Sequence, residues 1–105
     1  MTKVEVNPGV CGLMATIEAQ TTEEEMITLK ITSGCKGISQ IGENLSEELD
    51  PYEVVFGKPG TGEIYELAQE YCPGHAGCPV IAGIIKCIEA EAKLALPRNA
   101  EIKFI

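Results

Sequence analysis

The stretch Ile27-Thr28-Leu29-Lys30-Ile31-Thr32-Ser33-Gly34-Cys35-Lys36-Gly37-Ile38-Ser39-Gln40-Ile41 decides the fold. Its first six residues alternate apolar with polar, the period of a strand with one buried face. From Ile38 onward the apolar residues Ile38, Ile41, Leu45 and Leu49 recur at spacings of three and four, the period of a helix. The change falls at Ser33-Gly34-Cys35-Lys36-Gly37, so a strand hands over to a helix there and Cys35 stands at the helix start. A chain that runs through strands first and helices afterwards reads as α+β.

Toward the N-terminus, Leu13, Ala15, Ile17 and Ala19 alternate with Met14, Thr16, Glu18 and Gln20, a half-buried strand joined to the next by the polar turn Thr21 to Glu25. Residues 3 to 6 alternate Lys, Val, Glu, Val as a further short strand, followed by the turn signal Asn7-Pro8-Gly9 and then Cys11-Gly12. Toward the C-terminus, Asp50-Pro51-Tyr52-Glu53 has the form of a capping box and opens a short helical turn through Phe56. Gly57 to Gly62 is a loop, and Ile64, Leu67, Ala68 and Tyr71 form one face of a helix that ends at Cys72.

The spacing then predicts a helix from Pro79 to about Leu96, with Ile81, Ile84, Ile85 and Ile88 in its apolar stripe and Glu89 to Lys93 as an i,i+4 pair. Gly83 near its start implies close packing against another backbone. Pro97 stops the helix, and Ala100, Ile102 and Phe104 alternate with Glu101 and Lys103 as a final strand. The expected architecture is one domain over residues 1 to 105, a four-stranded, mainly antiparallel sheet with two or three helices packed on one face.

Sixteen acidic residues against eight basic ones give a net charge of −8, and no segment clusters Lys and Arg, so nucleic acid and anionic membrane surfaces are excluded as partners. Residues 1 to 6 have no apolar core of a secretion signal, and no run approaches the ~20 apolar residues of a membrane span. A cytoplasmic setting is therefore expected. In such a reducing compartment five cysteines, an odd number, argue against a disulfide framework and leave metal binding, thiol chemistry or burial.

The chemistry concentrates in Cys72-Pro73-Gly74-His75-Ala76-Gly77-Cys78-Pro79, which holds the only histidine and two of the five cysteines. Two prolines stiffen this loop while two glycines permit the turn, and Pro79 fits the first position of a helix with Cys78 as N-cap. A thiol at a helix N-terminus faces the positive end of the dipole, which favours thiolate, so Cys78 and then Cys35 are expected to be the most reactive thiols. The spacing Cys-x2-His-x2-Cys lets Cys72, His75 and Cys78 converge on one metal ion, with Cys35 or Cys11 as the fourth ligand. Three cysteines and a histidine would hold zinc, whereas four cysteines would hold an iron–sulfur cluster. Cys87 falls among apolar residues in mid-helix and reads as core.

Asn7-Pro8-Gly9-Val10-Cys11-Gly12, Ser33-Gly34-Cys35, Cys72-Pro73-x-His75-x-x-Cys78-Pro79-Val80 and the run from Lys86 through Leu94-Ala95-Leu96-Pro97 together resemble an uncharacterised family of small proteins, a domain of unknown function met mostly in anaerobic microbes. The resemblance covers nearly the whole chain. It implies a single fold-sized unit and brings no assigned activity, substrate or site.

Three readings follow. The first is a metal- or cluster-binding protein using Cys72, His75 and Cys78 with Cys35 or Cys11. The second is a thiol-redox protein with helix-N-terminal cysteines, a resolving Cys72 or Cys11, and His75 as acid/base. The third is a non-catalytic interaction module with structural cysteines, a homodimer that pairs exposed strand edges or apolar helix surface.

Overall fold

The computed structural model describes all residues from Met1 to Ile105. Three strands come first, β1 (Thr2–Val6), β2 (Ala15–Thr21) and β3 (Ile27–Ser33), followed by four helices, α1 (Lys36–Asn44), α2 (Pro51–Val55), α3 (Glu63–Tyr71) and α4 (Pro79–Glu91). The strands form an antiparallel meander in the order β1-β2-β3. In this register Val4, Ile17 and Ile31 lie side by side, as do Thr2, Ala19 and Leu29, so the apolar members of each alternation fall on one face. Ala15, Ile17 and Ala19 are fully buried there and share a core with Ile38 and Ile41 of α1, Ile64 of α3, and Val80, Ile81, Ile84, Cys87 and Ile88 of α4. Lys3, Glu5, Lys30 and Thr32 are exposed on the other face.

The expected fourth strand is absent, and there are four helices rather than the two or three expected. Residues 97 to 105 carry no secondary structure, and Ile102 and Phe104 are 80% and 97% exposed. Alternation records that a segment can bury one face as a strand; it does not supply the neighbouring edge that makes it one. The last helix also stops at Glu91 rather than near Leu96. Lys93 takes a left-handed φ of 62°, and the N–H groups of Leu94 and Ala95 both donate back to the Glu89 carbonyl, which closes the helix as a C-terminal cap. With Lys93 outside the helix, Glu89 pairs with Lys86 instead (3.4 Å). Likewise α1 ends at Asn44, and Leu49 leaves the helical pattern to exchange two backbone hydrogen bonds with Ile27, each 2.8 Å. The short helix α2 starts as expected, with Asp50 accepting from the Tyr52 N–H (2.9 Å) and Pro51 in its first turn.

Helix α4 runs antiparallel to β1. Gly83 lies over Val6, Cys87 Sγ reaches the carbonyls of Thr2 and Ile17 (3.5 Å each), and Glu91 arrives at the other end of the strand. There the Glu91 carboxylate accepts from Thr2 Oγ1 (2.7 Å), Thr21 Oγ1 (2.8 Å) and the Thr21 N–H (3.0 Å). Burial pushes this carboxyl up, but the bonds from Thr2 and Thr21 and the amino terminus outweigh that and hold it below the usual carboxylate range. No helix is long and apolar enough to cross a membrane.

A Cβ at position 83 would overlap Val6 Cγ2, so the close approach expected there is to a side chain of β1 rather than to backbone. Gly83→Ala gains about 1 kcal/mol in helix propensity but overpacks a stiff β-branched neighbour at about 1–3 kcal/mol, and the steric effect wins. Urea unfolding is expected to show Gly83→Ala less stable than wild type, and to show the same change as stabilising when Val6 is already alanine. A Gly83→Ala protein at least as stable as wild type contradicts this packing.

Candidate functional site

All three strand ends at Val6, Ala15 and Ser33 lie together, because the register pairs Ala15 with both Val6 and Ser33. The loop from Asn7 to Met14 crosses this end of the sheet, α1 leaves from it, and α4 starts there, since Gly83 in the second turn of α4 already stands over Val6. The antiparallel meander thereby carries Cys11, Cys35 and Cys78 to the same end. As the sequence suggests, the junctions that carry these three cysteines lie at one end of the sheet.

Cys35 is the N-cap of α1, and its N–H donates to Ser33 Oγ (3.1 Å). Two residues later Gly37 packs directly against the last turn of α3: a Cβ there would sit 2.5 Å from the Tyr71 carbonyl oxygen and 2.8 Å from Cys72 Sγ. No side chain fits between these helices, so the missing Cβ brings the thiol of Cys72 against the first turn of α1. Cys72 closes α3, its N–H donating to the Ala68 carbonyl (2.8 Å). The chain then turns tightly, with the His75 N–H on the Cys72 carbonyl (3.2 Å), the Cys78 N–H on the His75 carbonyl (3.0 Å), and Gly74 at a φ of 80° that favours glycine. Cys78 caps α4 ahead of Pro79, as the sequence predicts. Neither Cys35 nor Cys78 spends its side chain on a capping hydrogen bond.

Cys35, Cys72 and Cys78 are each half-buried and free. The thiol of Cys72 is pushed above the ordinary range, first by burial and then by Cys35 and Cys78, which lie close enough for their charges to act on it. Three sulfurs from the starts of two helices and the end of a third therefore share one electrostatic environment. His75 is exposed at the tip of the turn, and Cys11 is exposed in a loop bent by Gly9 and Gly12 at φ of 93° and 67°. No group of three or more His, Cys, Asp or Glu side chains is arranged in this conformation to enclose a metal ion. The sequence reading centred on Cys72, His75 and Cys78; the spatial grouping centres on Cys35, Cys72 and Cys78.

Cys87 is the fully buried core residue that its position implies, and burial pushes its thiol up to about 11, beyond what the backbone groups of Ala19 and Val4 offset. Sequence reasoning missed Glu91, which ties the end of α4 to β1 and β2. Its signal was available: a carboxylate one turn beyond Cys87, on the flank that faces the sheet.

The thiols separate by reactivity. A rise of two units leaves Cys87 with roughly 100-fold less thiolate near neutral pH than an ordinary cysteine, before any steric protection. Alkylation of the native, reduced, metal-free protein followed by mass spectrometry is expected to label Cys11, Cys35 and Cys78 ahead of Cys72, with Cys87 last. Labelling of Cys87 in step with Cys11 contradicts the core assignment. The same shift has a stability consequence. Because the folded state holds the Cys87 proton more tightly than the unfolded chain, its contribution is complete below the ordinary thiol range and is lost as pH rises toward about 11. Over that interval wild type is expected to lose more stability than Cys87→Ala, which starts about 1–3 kcal/mol lower.

No curated protein and no solved structure matches the chain. A family profile does, over residues 2–104, which spans the loop of Cys11, both helix-capping cysteines and the exposed C-terminal segment. By that match the chain belongs to DUF6951, a family of unknown function.

Proposed function

We propose that this protein binds a soft metal ion, zinc, or an iron–sulfur cluster at the end of the sheet where Cys35, Cys72 and Cys78 meet, with Cys11 or His75 as the fourth ligand. The observation that carries this reading is the electrostatic contact of Cys72 with both Cys35 and Cys78. Three half-buried thiols from three elements have no ionic or hydrogen-bonding partner for their sulfurs, and a bound cation would offset both the burial that chiefly raises Cys72 and the repulsion from Cys35 and Cys78 that adds to it. The donor set suits the group: thiolates select zinc and iron–sulfur clusters over hard oxygen-loving ions.

Two features support the fourth ligand coming from outside the half-buried trio. His75 and Cys11 are exposed and held by turn hydrogen bonds alone, so a shift of either toward the sulfurs disturbs no core contact. The two ends of the Cys72 to Cys78 turn, by contrast, are anchored by α3 and α4, which sets the spacing of these two sulfurs while the residues between them stay exposed.

Iron, zinc and acid-labile sulfide measured in anaerobically purified protein test the proposal. Bound metal is expected in wild type and in Cys87→Ser, and its loss in Cys35→Ser, Cys72→Ser and Cys78→Ser. Affinity is expected to fall as pH is lowered, because protons compete with the metal for the thiolates. Loss in Cys11→Ser alone, with His75→Ala unaffected, assigns a four-cysteine site, and the reverse assigns three cysteines with histidine. A folded wild-type protein that carries no metal and takes up neither zinc nor a reconstituted cluster overturns the proposal.

A further inference from the structure

The segment from Asn99 to Ile105 makes no backbone hydrogen bond, yet it has the apolar-polar alternation of a strand with one buried face, and Ile102 and Phe104 stand 80% and 97% exposed. The same molecule has a sheet edge in the complementary state. β1 pairs only with β2, and its backbone enters no other hydrogen bond through N–H. Its inward residues Val4 and Val6 remain half-exposed, whereas their neighbours in β2, Ile17 and Ala15, are fully buried. The opposite edge is partly closed, because Ile27 at the start of β3 bonds to Leu49. An open edge beside an unpaired strand-forming segment is a combination that soluble proteins resolve by pairing.

We infer that the C-terminal segment of one copy adds to the β1 edge of a second copy, forming a reciprocal homodimer in which each sheet gains a strand from its partner. Register and charge argue for this occupant. A parallel alignment that sets Ile102 beside Val4 also sets Phe104 beside Val6 on the core side, while Glu101 falls beside Lys3 and Lys103 beside Glu5 on the outer side. Both charged neighbours are of opposite sign. In the antiparallel alignment that sets the same two residues beside Val6 and Val4, Lys103 again falls beside Glu5, but Glu101 falls beside the uncharged Asn7 and Lys3 has no charged neighbour. The tail thus matches both charges of β1 in the parallel direction and only one of them in the antiparallel, and that match is independent of any metal. Because the exchange is reciprocal, it closes as a two-fold dimer and leaves no β1 edge open.

Light scattering and sedimentation on the full chain under reductant test the inference. Wild type is expected to dimerise in the micromolar range. Reversing the tail charges (Glu101→Lys with Lys103→Glu) or the strand charges (Lys3→Glu with Glu5→Lys) is expected to weaken the dimer by roughly tenfold or more. All four substituted residues are exposed, so circular dichroism and melting serve as a check that each variant folds. Mixing the two variants is the decisive measurement, since the tail of each is complementary to the β1 of the other, and a heterodimer of wild-type affinity is expected. Pairing of each tail with its own chain gives no such recovery, so variants that stay monomeric on mixing overturn the inference. A wild-type protein that is monomeric up to about 100 μM overturns it as well, well above the micromolar range in which specific homodimers of this kind assemble. So does a dimer indifferent to both reversals.

Discussion

Helix α4 lies against β1 at a point where one partner has no side chain, Gly83 over Val6, and the rest of the molecule is arranged from that contact. Close approach there brings the apolar stripe of α4 onto the sheet, buries Ile84, Cys87 and Ile88 completely, and carries Glu91 to the hydroxyls of Thr2 and Thr21. It also fixes where α4 begins. The helix starts at the end of the sheet where the strands turn back and α1 departs, which is why Cys78 and Cys35 both act on Cys72 although 43 positions of chain separate them. A second contact of the same kind, Gly37 against Tyr71 and Cys72, draws α3 in beside α1. Two absent Cβ atoms thus set the spacing of three sulfurs.

Much of this was legible in the sequence because it rests on local rules. The three strands announce themselves by alternation, α2 by Asp50 and Pro51, and the start of α4 by Pro79, since each signal concerns backbone chemistry within a few residues. The errors fall where the outcome depends on something distant. Whether residues 100 to 104 form a strand depends on finding an edge, and Leu49 abandons a helical pattern because Ile27, twenty-two positions earlier, offers a pair of backbone hydrogen bonds. The early end of α4 turns on the left-handed conformation of Lys93, a residue with no intrinsic preference for it. The grouping of thiols was half legible for the same reason: spacing alone joins Cys72 to Cys78, but only the tertiary contact at Gly37 brings Cys72 against the first turn of α1 and within reach of the charge of Cys35.

The acidic residues behind the net charge of −8 lie on turns such as Glu23 to Glu25 and along the helices, Glu63, Glu66 and Glu70 of α3 among them, and no buried polar side chain interrupts the core. Within that background two thiols, Cys72 and Cys87, are raised for different reasons. Cys87 is raised by burial in a sealed layer, whereas for Cys72 the presence of two further sulfurs adds to burial. The first is a property of packing; the second is a property of a cluster.

The turn between Cys72 and Cys78 also has a dynamic character that its sulfur content conceals. Residues 73 to 77 are exposed, contribute nothing to the core, and rest on two backbone hydrogen bonds open to water. Amides in such a segment exchange through small local openings that leave the domain folded, while those of β2 and mid-α4, sealed between the layers, open only with the whole. The turn that joins two of the cysteines therefore opens more readily than the sheet and helix beneath it. Access to the sulfurs is governed by a few residues of loop and is decoupled from the stability of the fold beneath.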